Sequence, residues 1–309
     1  MAIQNLDNIL HKILARAILS YRAKVGFIMA ANRDYDDVVA QKGESINVPI
    51  SKAITARDAA VSNVQPSLTN TDQDTVAIEL TEWREAPFSV TDLELTKIDQ
   101  DEHFMPMSMH EAVRVLADEA NVFIAGKYKE FYNWVGSPGT TPFASDTTAL
   151  INADKKLNQN NVPSVGRSFI MDTEAYANAL ALDSFHHAEK MGRNGVVIDA
   201  DLGRVFNFDT QWDNAVQDHT LGATTGTNVL TNGSGTAGDT TLAIDGLTGQ
   251  PVEGDLFTIA GDTTQYVVTN GGTLASNAAT VTIEPALAAD VADNVQLTFV
   301  ADHTANMAL

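Results

Sequence analysis

The chain has 309 residues, of which 44% are apolar, and it carries 40 acidic and 19 basic residues for a net charge of −21. It contains no cysteine, which excludes disulfide frameworks, thiolate metal sites and cysteine nucleophiles. The negative charge argues against sequence-reading of DNA or RNA, because an acidic surface repels phosphate. The absence of any run of about 18 apolar residues argues against a transmembrane helix.

The segment from residue 5 to residue 31 is predicted to be a helix, because Leu6, Leu10 and Leu14 recur at helical spacing. It is the only locally basic stretch of the chain. Three interpretations stay open: a helix docked on its own core, an arm that packs on a neighbouring subunit or an assembly partner, and a helix that binds a membrane surface.

Alternating apolar residues predict strands at residues 43–50 and 75–81, and a similar pattern predicts another at 88–95. About 25 mostly polar residues join the first two strands. A compact domain rarely contains so long a connection without structure of its own. We therefore predict a long hairpin that reaches away from the body and is stabilised by another molecule.

The clearest helix is predicted from Pro106 to about Val135, before Gly136, Pro138 and Gly139 stop it. Thirty residues would form a rod of roughly 45 Å. Such a helix is much longer than the average of about 11 residues in globular proteins.

Residues 140–224 are predicted to mix helices with short strands. Helices are expected at 146–158 and 173–182, the second capped by Asp172 or Thr173. Short strands are expected at 168–171, 196–198 and 204–208.

Residues 225–300 are predicted to form an antiparallel sandwich or small barrel, because turn signals fall about every 10 residues. The five short apolar runs are TLAIDGL, DLFTIAG, QYVVTNG, ATVTIEP and NVQLTFV. After Arg204 the chain has no lysine or arginine, while 12 acidic residues follow. This change in composition indicates a separate module.

The candidate metal ligands do not converge. Adjacent helical residues point about 100° apart, so His186 and His187, with Glu189 nearby, are interpreted as surface or interface residues. His103 and His110, beside Glu111, could share a helix face, but a third ligand is missing.

Other motifs also have structural interpretations. The stretch GSGTAG at 233–238 lacks the Lys-Ser or Lys-Thr of a phosphate-binding loop and lies among predicted strands. Asp99, Asp101 and Glu102 precede the long helix, where negative charge is favourable. No calcium-binding loop sequence occurs. We therefore predict no catalytic, cofactor-binding or metal-binding residues.

The order of these elements resembles the major capsid (coat) proteins of tailed phages with the Hong Kong 97-type fold. Within them it is most similar to the podophage coat-protein branch that carries an inserted β-domain. The resemblance covers nearly the whole chain and depends on the order of its segments. These are RDYDDVVAQKGESINVPI (33–50), WREAPFSVTDLEL (83–95), the helix from Pro106, LGRVFNFDT (202–210), GDLFTIAG (254–261) and HTANMAL (303–309).

The resemblance implies an α+β fold with six parts along the chain. In order these are an N-terminal helical arm (1–43), an extended-loop hairpin (44–92), a peripheral domain with a spine helix (93–138), an axial domain (139–224), an inserted all-β barrel or sandwich domain (225–300) and a return to the main body (301–309).

The resemblance also implies a structural function without enzyme activity. The chain would be the major capsid protein of a tailed double-stranded DNA virus, assembled in the host cytoplasm into hexamers and pentamers of an icosahedral virion shell. Its partners would be further copies of itself, a scaffolding protein and a portal. Packaged DNA would be enclosed without sequence-specific binding, and neither a membrane nor a cofactor is expected. Lys52 is the only lysine in the extended loop, and we predict no covalent cross-link there.

Two alternatives belong to other classes. The acidic, strand-rich segment after residue 225 would suit an adhesin or surface-layer protein. A metal-dependent hydrolase centred on His186 and His187 is the second alternative.

Overall fold

The computed structural model describes residues 26–31, 45–50, 74–101, 104, 106–187, 195–222 and 229–309. The chain divides into two compact units, Asn32–Phe88 and a larger one of Met1–Ala31 with Ser89–Leu309. The predicted N-terminal helix lies outside the described residues except at its end, where α1 spans Phe27–Ala30. The predicted domain boundaries remain predictions.

The smaller unit contains a two-stranded hairpin. Strand β1 (Ser45–Ile50) pairs antiparallel with β2 (Asp74–Glu79). Both strands were predicted from alternating apolar residues, and both are confirmed. The connection between them lies outside the described residues.

The predicted strand at 88–95 is wrong, because the chain forms helix α2 (Asp92–Gln100) there. Thr91 and Glu94 form a reciprocal capping box: the Thr91 side chain accepts the Glu94 N–H, and the Glu94 carboxylate accepts the Thr91 N–H. This pair satisfies two N–H groups that a helix start leaves without partners. The capping box therefore outweighs the short alternation of apolar residues.

The predicted long helix begins where expected, but its predicted end is wrong. Helix α3 spans Met107–Ala125 and continues only as a 3-10 turn over Gly126–Glu130, so the α-helix is about 28 Å long. From Phe131 the backbone is extended. The amide of the Gln265 side chain pairs with both backbone groups of Trp134 and fixes this extended course.

A four-stranded sheet lies next to short helices in the larger unit. Helix α4 (Thr148–Gln159) and helix α5 (Thr173–Ala181) confirm the two predicted helices, and Asp172 caps α5. Helix α6 (Asp183–His186) follows directly. The strand order is β14-β3-β5-β4, with β3 parallel to β5. The strands are β3 (Ser168–Met171), β4 (Arg204–Val205), β5 (Phe208–Trp212) and β14 (Met307–Ala308).

Two predicted strands of this region need correction. Residues 196–198 belong to helix α7 (Gly195–Asp199), which buries Val196 against the helices around it. The predicted strand 204–208 is instead a hairpin of β4 and β5. Its turn residues Phe206 and Asn207 have positive φ angles of 45° and 74°, which match the twist of a tight hairpin.

Residues 229–299 form a closed antiparallel barrel, and all five predicted apolar runs contain a strand. The strand order is β12-β9-β10-β11-β8-β7. The Leu297 N–H donates to Val229 O and the Thr231 N–H to Val295 O, so the two outer strands join. The strands are β7 (Leu230–Thr231), β8 (Thr241–Asp245), β9 (Leu256–Ile259), β10 (Gln265–Asn270), β11 (Ala279–Glu284) and β12 (Leu297–Phe299).

A short ribbon connects the barrel to the rest of its unit. Strand β6 (Asp218–His219) precedes the barrel and β13 (His303–Thr304) follows it, and the two pair antiparallel. The chain therefore enters and leaves the barrel side by side.

Candidate assembly surface

The hairpin has one apolar and one polar face. Ile46 lies opposite Ile78 and Val48 opposite Val76, and opposed residues project from the same face of an antiparallel pair. Ile50 follows Val48 by two positions and shares that face. We call Ile46, Val48, Ile50, Val76 and Ile78 the hairpin apolar face. The other face carries Ser45, Asn47, Pro49, Thr75, Ala77 and Glu79.

The hairpin apolar face is open to solvent. Ile50, Val76 and Ile78 expose 48%, 50% and 45% of their surface. A two-stranded hairpin is marginally stable alone in water and needs a partner for its apolar side. Adjacent exposed apolar side chains commonly mark an interaction surface.

The segment after β2 adds further exposed apolar side chains. Residues 80–91 have no regular secondary structure, and Leu80, Trp83 and Phe88 are all exposed. Large aromatic side chains contribute strongly to interfaces when they become buried. Apolar exposure in the smaller unit therefore extends beyond its two strands.

Helix α3 presents a second exposed apolar surface in the larger unit. It buries Met109, Val113 and Ala117 on one side, while Val115 and Val122 remain exposed on another. On the exposed side Arg114 bridges Glu111 and Asp118. Such exposed ion pairs contribute little to stability.

The structure does not gather the predicted metal candidates into a site. His187 Nε2 lies 2.6 Å from Asp183 Oδ1, and the ring of His186 is 6.1 Å from that of His187. Glu189 lies outside the described residues. No group of three potential metal ligands occurs within the described part of the chain.

Of the other two histidines, His103 and His110, the first lies outside the described residues. His110 is exposed in the first turn of α3, next to Glu111, which contacts Arg114.

The acidic residues Asp99 and Asp101 precede α3, as predicted. Asp99 lies in the last turn of α2, and Asp101 is its C-cap residue. The first turn of α3 itself contains no acidic residue. Glu102 lies outside the described residues.

The glycine-rich stretch 233–238 lies in the barrel between β7 and β8. Gly235 forms a β-bridge with Val291 there. A phosphate-binding loop would lead into a helix N-terminus, and this stretch leads into a strand.

Sequence reasoning missed a buried polar network of Tyr128, His219 and Asp255. His219 Nε2 lies 2.9 Å from Asp255 Oδ1, and His219 Nδ1 lies 2.9 Å from the Tyr128 hydroxyl. His219 and Asp255 expose only 3% and 0% of their surface. The three residues are far apart in the sequence, so no local motif indicates them.

Burial controls the titration of the groups around this network. Desolvation raises the pKa of Tyr128, and the negative charge of Asp255 raises it further. Desolvation lowers the pKa of His303, whose ring centroid is 5.1 Å from that of His219. Both ring nitrogens of His219 therefore have hydrogen-bond partners within the protein.

No family model matches this chain, and no curated protein matches it. Solved structures do. A chain from Mycobacterium phage Che8 matches with a TM-score of 0.51 at 13% identity, over 91% of this chain and 89% of that one.

Two further matches are more distant. The capsid structure of cyanophage P-SCSP1u gives a TM-score of 0.43 at 12% identity, over 89% of both chains. The mature capsid of bacteriophage PhiM1 gives 0.41 at 6% identity, over 86% of this chain and 80% of that one. Neither supports a conclusion at such TM-scores.

The Che8 match shows a shared mixed α+β fold and nothing about activity. The predicted α+β fold class is confirmed at this level. None of the described helices is both long and apolar enough to cross a membrane.

Proposed function

We propose that this chain is the major capsid protein of a tailed double-stranded DNA virus and assembles into the hexamers and pentamers of an icosahedral shell. The observation that carries the proposal is the exposed hairpin apolar face, in a chain whose fold is shared with a phage protein. It is a structural protein and not an enzyme.

The extended loop, residues 44–92, lies on a neighbouring subunit and buries the hairpin apolar face there. Completing the burial of one half-exposed isoleucine or valine contributes about 1 kcal/mol. Three such side chains on every subunit, Ile50, Val76 and Ile78, offset part of the conformational entropy lost when the loop is ordered, about 1–2 kcal/mol per residue. A neighbouring subunit in the shell therefore supplies a contact for the exposed side chains of the hairpin apolar face.

The remaining parts follow the same proposal. Residues 1–43 form an arm that contacts neighbours and a scaffolding protein, and 93–138 form the peripheral domain with α3 as its spine. Residues 139–224 form the axial domain, 225–300 the inserted barrel and 301–309 the return to the main body. The closed barrel supports the idea of a separate module, because its outer strands pair with each other.

The net charge of the chain supports a shell that encloses the genome without binding it tightly. With a net charge of −21, the protein repels packaged DNA instead of binding its sequence. The subunits assemble in the host cytoplasm around a portal and remain in the virion, with Lys52 free of cross-links.

Negative-stain microscopy and sedimentation of the purified protein, alone and with its scaffolding partner, test the proposal. We expect capsomers, tubes or closed shells. A monodisperse monomer under both conditions would contradict it and favour the adhesin or surface-layer alternative. A stoichiometric bound metal with hydrolytic activity would instead favour the hydrolase.

A further inference from the structure

Among the described residues, none of the three apolar clusters contains side chains from both the barrel and the rest of its unit. The barrel core consists only of residues between Val229 and Phe299. The other two apolar clusters of the larger unit contain no barrel residue. Parts of a chain without a common apolar core can move relative to each other unless polar contacts hold them.

One polar network links three elements at the base of the barrel. Tyr128 comes from the 3-10 turn after α3, His219 from the entry strand β6, and Asp255 from the residue before β9. His219 contacts both of the others through its two ring nitrogens. The network therefore joins the end of α3, the connecting ribbon and the barrel itself.

Asp255 is the most strongly connected member of the network. Besides His219 it accepts the Gly222 N–H at 3.1 Å and the Val252 N–H at 3.0 Å. A fully buried carboxylate depends on such partners, because burying it without them is costly. Asp255 therefore keeps its contacts with His219 and Gly222 only while the entry segment stays against the barrel.

A second polar contact lies between the same two bodies. The Gln265 side chain on β10 donates to Trp134 O at 3.0 Å and accepts the Trp134 N–H at 3.2 Å. Gly254 also lies close to Lys129, since a β-carbon there would come within 2.9 Å of Lys129 Cγ. Each of these contacts reaches residues 128–134, directly after α3.

We propose that Tyr128, His219 and Asp255 form a latch that fixes the barrel on the end of α3, and that the barrel moves as a rigid body when the latch opens. The closed barrel keeps its own core in both states. Opening separates polar groups that water can hydrate. The inference does not depend on the proposed capsid function.

Amide hydrogen exchange of the full-length protein tests the latch in Tyr128→Phe, which removes one hydroxyl and keeps the ring. We expect residues 217–222 and 300–305 to exchange faster by on the order of fivefold, as the loss of one hydrogen bond predicts. Strands β8, β10 and β11 should keep their protection. Tyr132→Phe, which lies outside the network, is the matched control and should leave both regions unchanged.

A second variant keeps the test decisive if Tyr128→Phe folds poorly. Gln265→Ala removes the side-chain contact with Trp134 and should by itself increase exchange at the ribbon, because it weakens the second polar contact between the barrel and residues 128–134. Equal exchange in Tyr128→Phe and Tyr132→Phe would overturn the proposal. So would an even loss of protection across β8–β11, since the network would then belong to the fold of the barrel. Amide exchange can be measured whether or not the protein assembles. Microscopy and sedimentation can therefore contradict the capsid proposal without affecting the test of the latch.

Discussion

At the residue scale, Arg167 is the most completely bonded charged side chain of the described body. It is 2% exposed, and its guanidinium donates to Asp154 Oδ1 at 2.6 Å and to Asn158 Oδ1 at 2.9 Å. It also donates to the carbonyl oxygens of Val162 and Pro163. A single side chain thus joins the end of α4 to the start of β3.

Replacing Arg167 with methionine should lower the free energy of unfolding by about 3 kcal/mol. The change removes the Arg167 donor from two carbonyl oxygens and from Asp154 Oδ1, and breaking a buried ion pair costs about 3–5 kcal/mol. Urea unfolding measures the loss. Arg204→Met is the control, because Arg204 is exposed and its guanidinium donates to Asn207 Oδ1 on the surface. Equal midpoints for the two variants would contradict the assignment.

His303 should make stability depend on pH in a defined direction. Burial lowers its pKa below the ordinary value of 6.5, so the unfolded chain takes up a proton before the folded chain does. Its contribution to stability is fully present above pH 6.5 and is lost as the pH falls from 6.5 towards the lowered pKa.

The urea midpoint of the wild type should therefore fall more steeply between pH 7.5 and 5.5 than that of His303→Gln. The exposed His186 provides the control, and His186→Gln should follow the wild type. Parallel curves for His303→Gln and the wild type would show that burial does not affect this group.

At the element scale, the sequence predicts strands well where one face is buried locally. Val281 and Ile283 on β11 alternate with exposed residues, and this period of two is visible without knowing the fold. The Thr91–Glu94 spacing of a capping box is local in the sequence, and in the structure it outweighs the apolar alternation at 88–95. The end of α3 could not be predicted from the local sequence, because Trp134 is hydrogen-bonded to Gln265, which lies 131 positions away. The network of Tyr128, His219 and Asp255 could not be predicted for the same reason, because its members are far apart in the sequence.

The connection after β10 should tolerate no side chain at Gly271. A β-carbon there would overlap the carbonyl group of Pro251, and a backbone atom cannot rotate away as a side chain can. Gly271→Ala should lower the free energy of unfolding by about 2 kcal/mol or more. Gly126→Ala is the matched control. A β-carbon at Gly126 would lie 3.8 Å from its nearest neighbour, and the φ of Gly126 is −63°. The change should therefore be neutral or slightly stabilising. Similar melting temperatures for the two variants would contradict the crowding at Gly271.

At the scale of the whole molecule, the distribution of charge separates two kinds of surface. The hairpin apolar face lies in a segment where both signs of charge occur, whereas no basic residue follows Arg204. An acidic surface with a closed barrel discourages association through strand edges or with DNA. We therefore propose that the chain associates with itself through the hairpin apolar face.

The most direct test of this account is sedimentation velocity of Ile78→Asp beside Thr75→Asp. Both changes add one carboxylate to β2, but Ile78 lies on the hairpin apolar face and Thr75 on the polar face. Burying a charge without a partner is costly. Ile78→Asp should therefore raise the protein concentration needed for assembly by at least about tenfold, while Thr75→Asp assembles like the wild type. Unchanged assembly of Ile78→Asp, or equal loss in both variants, would contradict the claim that this face joins the subunits.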